Sequence, residues 1–146
     1  MAKPGRPKKL ERLRRLARLM QGRIKRIRTA ASRDEHLGPR AAELAEKARA
    51  ELEAFKPEMG AKKAEELRKT ASNAEALLKE SIENWQALIK HNTKMVREIA
   101  KESASPISNT LARMNPLVIA PYENRIQAAN TLLESIERLK REKGLE

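Results

Sequence analysis

The chain has 146 residues, a formal net charge of +12, no cysteine and three aromatic residues, Phe55, Trp85 and Tyr122. That length suits one main folded body. The composition excludes disulfides, thiolate metal ligands and thiol nucleophiles, and it leaves no set of stacked rings for single-strand recognition of the OB-fold or RRM kind.

The excess charge sits at one end. Residues 1–33 hold 13 Lys and Arg against the single acid Glu11, whereas residues 34–146 balance 19 basic with 19 acidic groups. A chain that is basic only for solubility mixes both signs along its length, so this asymmetry points to a polyanionic partner. Hydrophobic residues make up 40% of the sequence and charged residues 36%, and because much of the apolar share is alanine, each helix has only a thin stripe to bury. Elongated helix pairing is therefore expected.

Taken in chain order, residues 1–7 (MAKPGRP) read as a flexible, extended basic tail. A basic amphipathic helix is expected over 8–33, with Leu10, Leu13, Ala17, Met20, Ile24 and Ile27 on its seam at 3,4,3,4,3 spacing. The stretch Ser32 to Gly38 reads as a break, with Pro39 opening a second helix to about Phe55 on the stripe Ala41, Ala45, Ala48, Leu52. Pro57 and Gly60 end it. A long central helix follows from about Ala61 to Glu102, seamed by Ala64, Leu67, Ala71, Ala74, Leu78, Ile82, Trp85 and Ile89, and would measure about 60 Å. Ser103 to Pro106 reads as another break, with Ser105 as an N-cap, and Asn115-Pro116 and Pro121 read as interruptions before a last helix ending near Lys143 and Gly144. The expected class is all-α: an elongated antiparallel helical bundle or coiled-coil-like assembly, with residues 34–146 as a charge-neutral helical body.

The candidate nucleic-acid-binding residues are Lys3, Arg6, Lys8, Lys9, Arg12, Arg14, Arg15, Arg18, Arg23, Lys25, Arg26 and Arg28. Arginine dominates, and its planar fork donates two parallel hydrogen bonds to a phosphate or a guanine edge. Gly5-Arg6-Pro7 followed by Lys8 and Lys9 resembles the core of an AT-hook, with Pro4 where that pattern usually has Arg. The resemblance implies an arginine laid into the narrow minor groove of A·T-rich DNA. A basic opening of this kind also resembles bacteriophage DNA-associated proteins such as small terminase subunits.

These observations lead to a non-enzymatic nucleic-acid-binding protein, with DNA favoured over RNA, built as a homo-oligomer or part of a larger assembly. The rival class is a helical scaffold or chaperone-like module whose basic helix docks an acidic protein; RNA or ribosome binding is a further alternative. The arginines could instead be balanced internally by Glu43, Glu46, Glu51, Glu53, Glu58, Glu65 and Glu66. No cofactor or metal is expected, since His36 and His91 are isolated and no phosphate-binding glycine loop occurs. No catalytic constellation is present either. The opening residues lack an apolar signal region and no run approaches the roughly 20 apolar residues that cross a bilayer. A cytoplasmic protein, nucleoid- or virion-associated, is expected, and a membrane partner is not.

Overall fold

The computed structural model describes residues 5–102 and 106–146, with side chains described over 8–101 and 109–146. Three long helices account for nearly all of it: α1 over Gly5–Ala54, α2 over Ala61–Glu102 and α3 over Pro106–Glu142. Among the described residues there is no strand. α2 has the bounds its apolar periodicity predicts.

The order of cross-helix contacts fixes the helix directions. Arg23 meets Glu98, Ala30 meets Asn84 and Arg49's end of α1 lies toward the turn, so an advance along α1 is a retreat along α2. Asn115 meets Thr93 and Lys140 meets Glu75, so α3 runs antiparallel to α2. Alanine permits the close approach: Ala45 and Ala48 of α1 and Ala71 and Ala74 of α2 are fully buried, and small side chains let backbones come together. Leu52, Leu67, Leu88 and Ile136 fill the remaining interior.

Two expected breaks are absent. α1 runs unbroken through Ser32 to Pro39, and α3 runs unbroken through Pro116 and Pro121. A proline inside a helix removes the donor to the carbonyl four residues earlier, at a cost of about 3 kcal/mol. Here those carbonyls belong to Glu35, Ala112 and Leu117, all at exposed positions, where water can take up the lost bond and tertiary packing on the other face holds the helix. Pro7 needs no such compensation, because it falls in the first turn of α1, whose N–H groups have no intrahelical acceptor. The expected tail is shorter than predicted for the same reason: Gly5, Arg6 and Pro7 open α1. The Ser105 cap and the rest of that break, like Met1 to Pro4, lie outside the described residues.

The turns are built as the sequence suggests. A single 3₁₀ turn, Pro57–Met59, joins α1 to α2, and Gly60 supplies a φ of 93° that a side chain would strain. α3 ends in a Schellman motif, with Gly144 at φ 68°, its N–H on the Arg141 carbonyl and the Leu145 N–H on the Lys140 carbonyl at 2.8 Å. Leu145 is buried beneath it. Lys143 Nζ in turn donates to the Glu53 and Phe55 carbonyls at the end of α1.

One junction ties all three helices. Trp85 Nε1 of α2 donates to Asp34 Oδ1 at 2.7 Å, and Arg125 of α3 donates to Asp34 Oδ2 at 3.0 Å. Gly38 is what admits this carboxylate, since a Cβ there would stand 2.7 Å from Asp34 Oδ1. Nothing lies within 4 Å of a Cβ built at Gly22. Glycine to alanine at an open helical site stabilises by about 0.5–1 kcal/mol, so Gly22→Ala should raise stability by that amount. Gly38→Ala should lower it by about 1 kcal/mol, the loss of hydrogen bonds to a charged group outweighing the helix-propensity gain. Denaturant unfolding followed by the fluorescence of Trp85 checks both signs.

Candidate nucleic-acid interface

The fold places the basic residues on two helices at one end of the molecule. The first internal tether of α1 is Arg23, whose guanidinium reaches α2 at His91 and Glu98. Because the Arg23–Glu98, Ala30–Asn84 and Arg33–Glu80 contacts set the end of α2 at Glu102 opposite about Arg14, the residues of α1 before that point extend past it as an arm. Lys8, Lys9 and Arg12 on this arm and Arg14, Arg15 and Arg18 at its base are all exposed, as are Lys25, Arg26 and Arg28 nearer the body. None of these nine has an ion-pair partner among the described residues. The side chains of Lys3 and Arg6 lie outside the described residues. Arg6 itself falls in the first turn of α1, so Gly5-Arg6-Pro7 is helical where an AT-hook needs extended backbone.

Two arginines of the segment are engaged internally. Arg33 pairs with Glu80 at 2.6 Å, both side chains remaining about half exposed. Such a pair is worth little in high dielectric and is easily exchanged. Arg23 differs. Its side chain is 15% exposed, Nη2 lies 3.3 Å from Glu98 Oε1 and Nη1 lies 3.0 Å from His91 Nδ1. This residue, which the sequence groups with the other candidates, clamps the base of the arm to α2 and has little donor capacity left for a ligand.

A second basic surface, not apparent in the sequence, lies on α2. Lys90, Lys94, Arg97 and Lys101 are exposed and spaced 4,3,4 along α2, which sets them in one stripe on the face turned away from the buried Leu78, Trp85 and Leu88. Their spacing was the available signal. The balanced charge of residues 34–146 as a whole hides it, because the compensating acids lie elsewhere. Between this stripe and α1 runs an open groove of about 570 Å³ lined by Lys25, Arg26, Arg33, Asn84 and His91. At the groove's edge burial pushes the His91 pKa down, and the positive charges of Arg23, Arg26, Lys90 and Lys94 push it further in the same direction. Five cationic or potentially cationic groups thus converge from two helices with one acid, Glu98, among them. The arrangement creates a positive field suited to phosphate.

The hydrogen bond to Arg23 also fixes the histidine's form. Guanidinium has only donors, so Nδ1 accepts and the ring proton is on Nε2, facing the other way. Among the described residues no group of three or more His, Asp or Glu side chains could hold a metal. His36 is exposed and Trp85 is buried as the core anchor its seam position predicts. Tyr122 is half-buried, with the Arg125 guanidinium 5.6 Å from its ring centre. No helix is long and apolar enough to cross a membrane among the described residues.

Comparison with protein-family models, curated proteins and solved structures finds no match to this chain.

The depressed pKa of His91 has a testable sign. Its ordinary value is near 6.5 and the folded chain holds it lower, so the proton binds the unfolded chain more tightly. The associated stability is complete above about pH 6.5 and declines as pH falls below it. His91→Gln should flatten that decline. Bound polyanion would offset the surrounding positive charge, so an NMR titration of the His91 ring should show its pKa rising when duplex oligonucleotide is added.

Proposed function

We propose that this chain is a non-enzymatic nucleic-acid-binding protein that holds duplex DNA by its phosphates, serving an architectural or DNA-packaging role. The observation that carries the reading is the set of nine exposed arm and shoulder cations without internal partners, together with the four-residue basic stripe of α2 beside them. An array of this kind gains by releasing counterions from a polyanion, at little cost in broken internal ion pairs. Arginine supplies most of it, which favours bidentate contact to phosphate. Nothing on this surface besides arginine offers base readout, so sequence preference is modest. In this reading the antiparallel body acts as a small helical bundle that holds the two basic surfaces at a fixed spacing, in a cytoplasmic, nucleoid or virion setting.

Salt dependence tests the proposal. If about six cations engage phosphate, log affinity falls with log salt at a slope near −5. Deleting residues 1–14 removes the arm while leaving Leu16, Arg23 and the α1–α2 seam in place, and should abolish retention of DNA at moderate salt. Replacing Lys90, Lys94, Arg97 and Lys101 together by alanine should make the slope shallower by about 3 with helicity unchanged. Binding to a duplex that stays constant between low and moderate salt sinks the reading. Structured RNA run beside the duplex as competitor decides between the two nucleic acids.

A further inference from the structure

A second copy of the chain fits a surface that the cations do not use. An open cleft of about 1040 Å³ lies between α1 and α3, floored by Leu78 and Trp85 of α2 and walled by Gly38 and Ala42 on one side and Ala128 and Leu132 on the other. Stepping back from Gly38 by sevens gives Ala31, Ile24, Ala17 and Leu10, and a step of seven returns a helical residue to nearly the same side. Leu13 and Met20 lie alongside that line. On α3, Met114 precedes Ala128 by fourteen residues and Val118 precedes Leu132 by fourteen. Leu10, Leu13, Met114, Leu117 and Val118 are 50%, 55%, 50%, 74% and 45% exposed. The cleft and these side chains therefore form one apolar face running along α1 and α3, and no described part of the chain covers it. The arm cannot fold back to do so, being continuous with α1.

Charge selects the occupant. Residues 5–33 of α1 carry 12 basic groups and one acid, whereas residues 34–54 of the same helix carry six acids and three basic groups. A rod positive at one end and negative at the other pairs with an antiparallel copy of itself, and parallel pairing would set arm against arm. The acids include Glu35 and Glu46 at the rim of the cleft, and Glu35 has no ion-pair partner among the described residues. Arg49 and Arg125 also line the cleft but are paired with Glu46 and Asp34, which leaves Glu35 as its uncompensated charge; an anionic bilayer would suit the arm's stripe but not a concave cleft of that sign. From Leu10 to Ala42 the face is about 48 Å long, which a helix covers and a small molecule does not.

We propose that two copies dock antiparallel through α1, each laying the Leu10, Leu13, Ala17 and Met20 stripe of its arm and arm base along the α1/α3 cleft of the other. The contact is isologous and closes on itself. It engages the apolar side of the arm and leaves the outward arginines free, so it stands or falls apart from the nucleic-acid reading.

The test is the association of the full chain, freed of nucleic acid, by sedimentation equilibrium. A dimer is expected, and Leu10→Glu with Leu13→Glu, or Ala42→Glu alone, should each weaken it at least tenfold. These positions are exposed, and helicity together with Trp85 fluorescence confirms that the variants fold. Since the chain has no cysteine, an equal mixture of Leu13→Cys and Ala42→Cys chains treated with a short bifunctional thiol reagent should yield the mixed cross-linked pair. A chain that remains monomeric at concentrations on the order of 100 µM, or that associates only on anionic vesicles, overturns the proposal. So does a dimer indifferent to both sets of substitutions. Loss of the dimer with salt-dependent DNA binding intact removes this inference alone, and the converse removes only the proposed function.

Discussion

The alanine-lined contact between α1 and α2 is the constraint on which the rest of the molecule depends. Neither helix buries enough apolar surface alone, and a stripe of Ala45, Ala48, Ala71 and Ala74 gains little from side-chain area. Its contribution comes from closeness: backbones drawn together let Leu52, Leu67 and Leu88 fill the flanks and let polar groups cross between helices. Asn84 reaches the Ala30 carbonyl at 2.8 Å, and Trp85 and Arg125 hold the two oxygens of Asp34. α3 then packs on the pair, and its last turn returns to close the end of α1 through Lys143. Where α2 stops, α1 loses its partner, and the arm begins.

The same geometry sorts the charges. Acids accumulate on the second half of α1, while one end of the molecule gathers the arm and the outer face of α2's last turns. Arg23 and Glu98 stand at the boundary, with His91 beside them. An arm held only by propensity would fray into solvent, since an isolated helix gains little from its own hydrogen bonds. Tethered at Arg23, its cations are presented at a set distance from Lys94 and Arg97.

The helical class, the extent of α2, the alanine and leucine seams, the burial of Trp85 and the stop at Gly144 were legible in the sequence, because each follows from period or from local backbone preference. Pro39, Pro116 and Pro121 misled because a proline's local penalty does not say which face it falls on; here the residues whose carbonyls lose a donor are exposed to water, and long-range packing carries the helix through. Gly38 read as the last residue of a break before Pro39. In the structure it is the space that the Asp34 carboxylate occupies, a requirement set by residues 47 positions later in the chain and beyond. The stripe on α2 was hidden by averaging charge over a long body. The special place of Arg23 among like neighbours was invisible too, since it is defined by what stands across from it on α2.

The short Pro57–Met59 turn joining α1 to α2 has a consequence for how the molecule comes apart. Pairing beside the turn closes a small loop, whereas the Arg23 to Glu98 contact spans 75 residues, so the hairpin zips from the turn outward and opens from the far end inward. The cationic end is the free end of that zipper. Its amides belong to the least protected part of the seam, and any polyanion bridging α1 and α2 there acts as a clasp, favouring the closed hairpin by mass action.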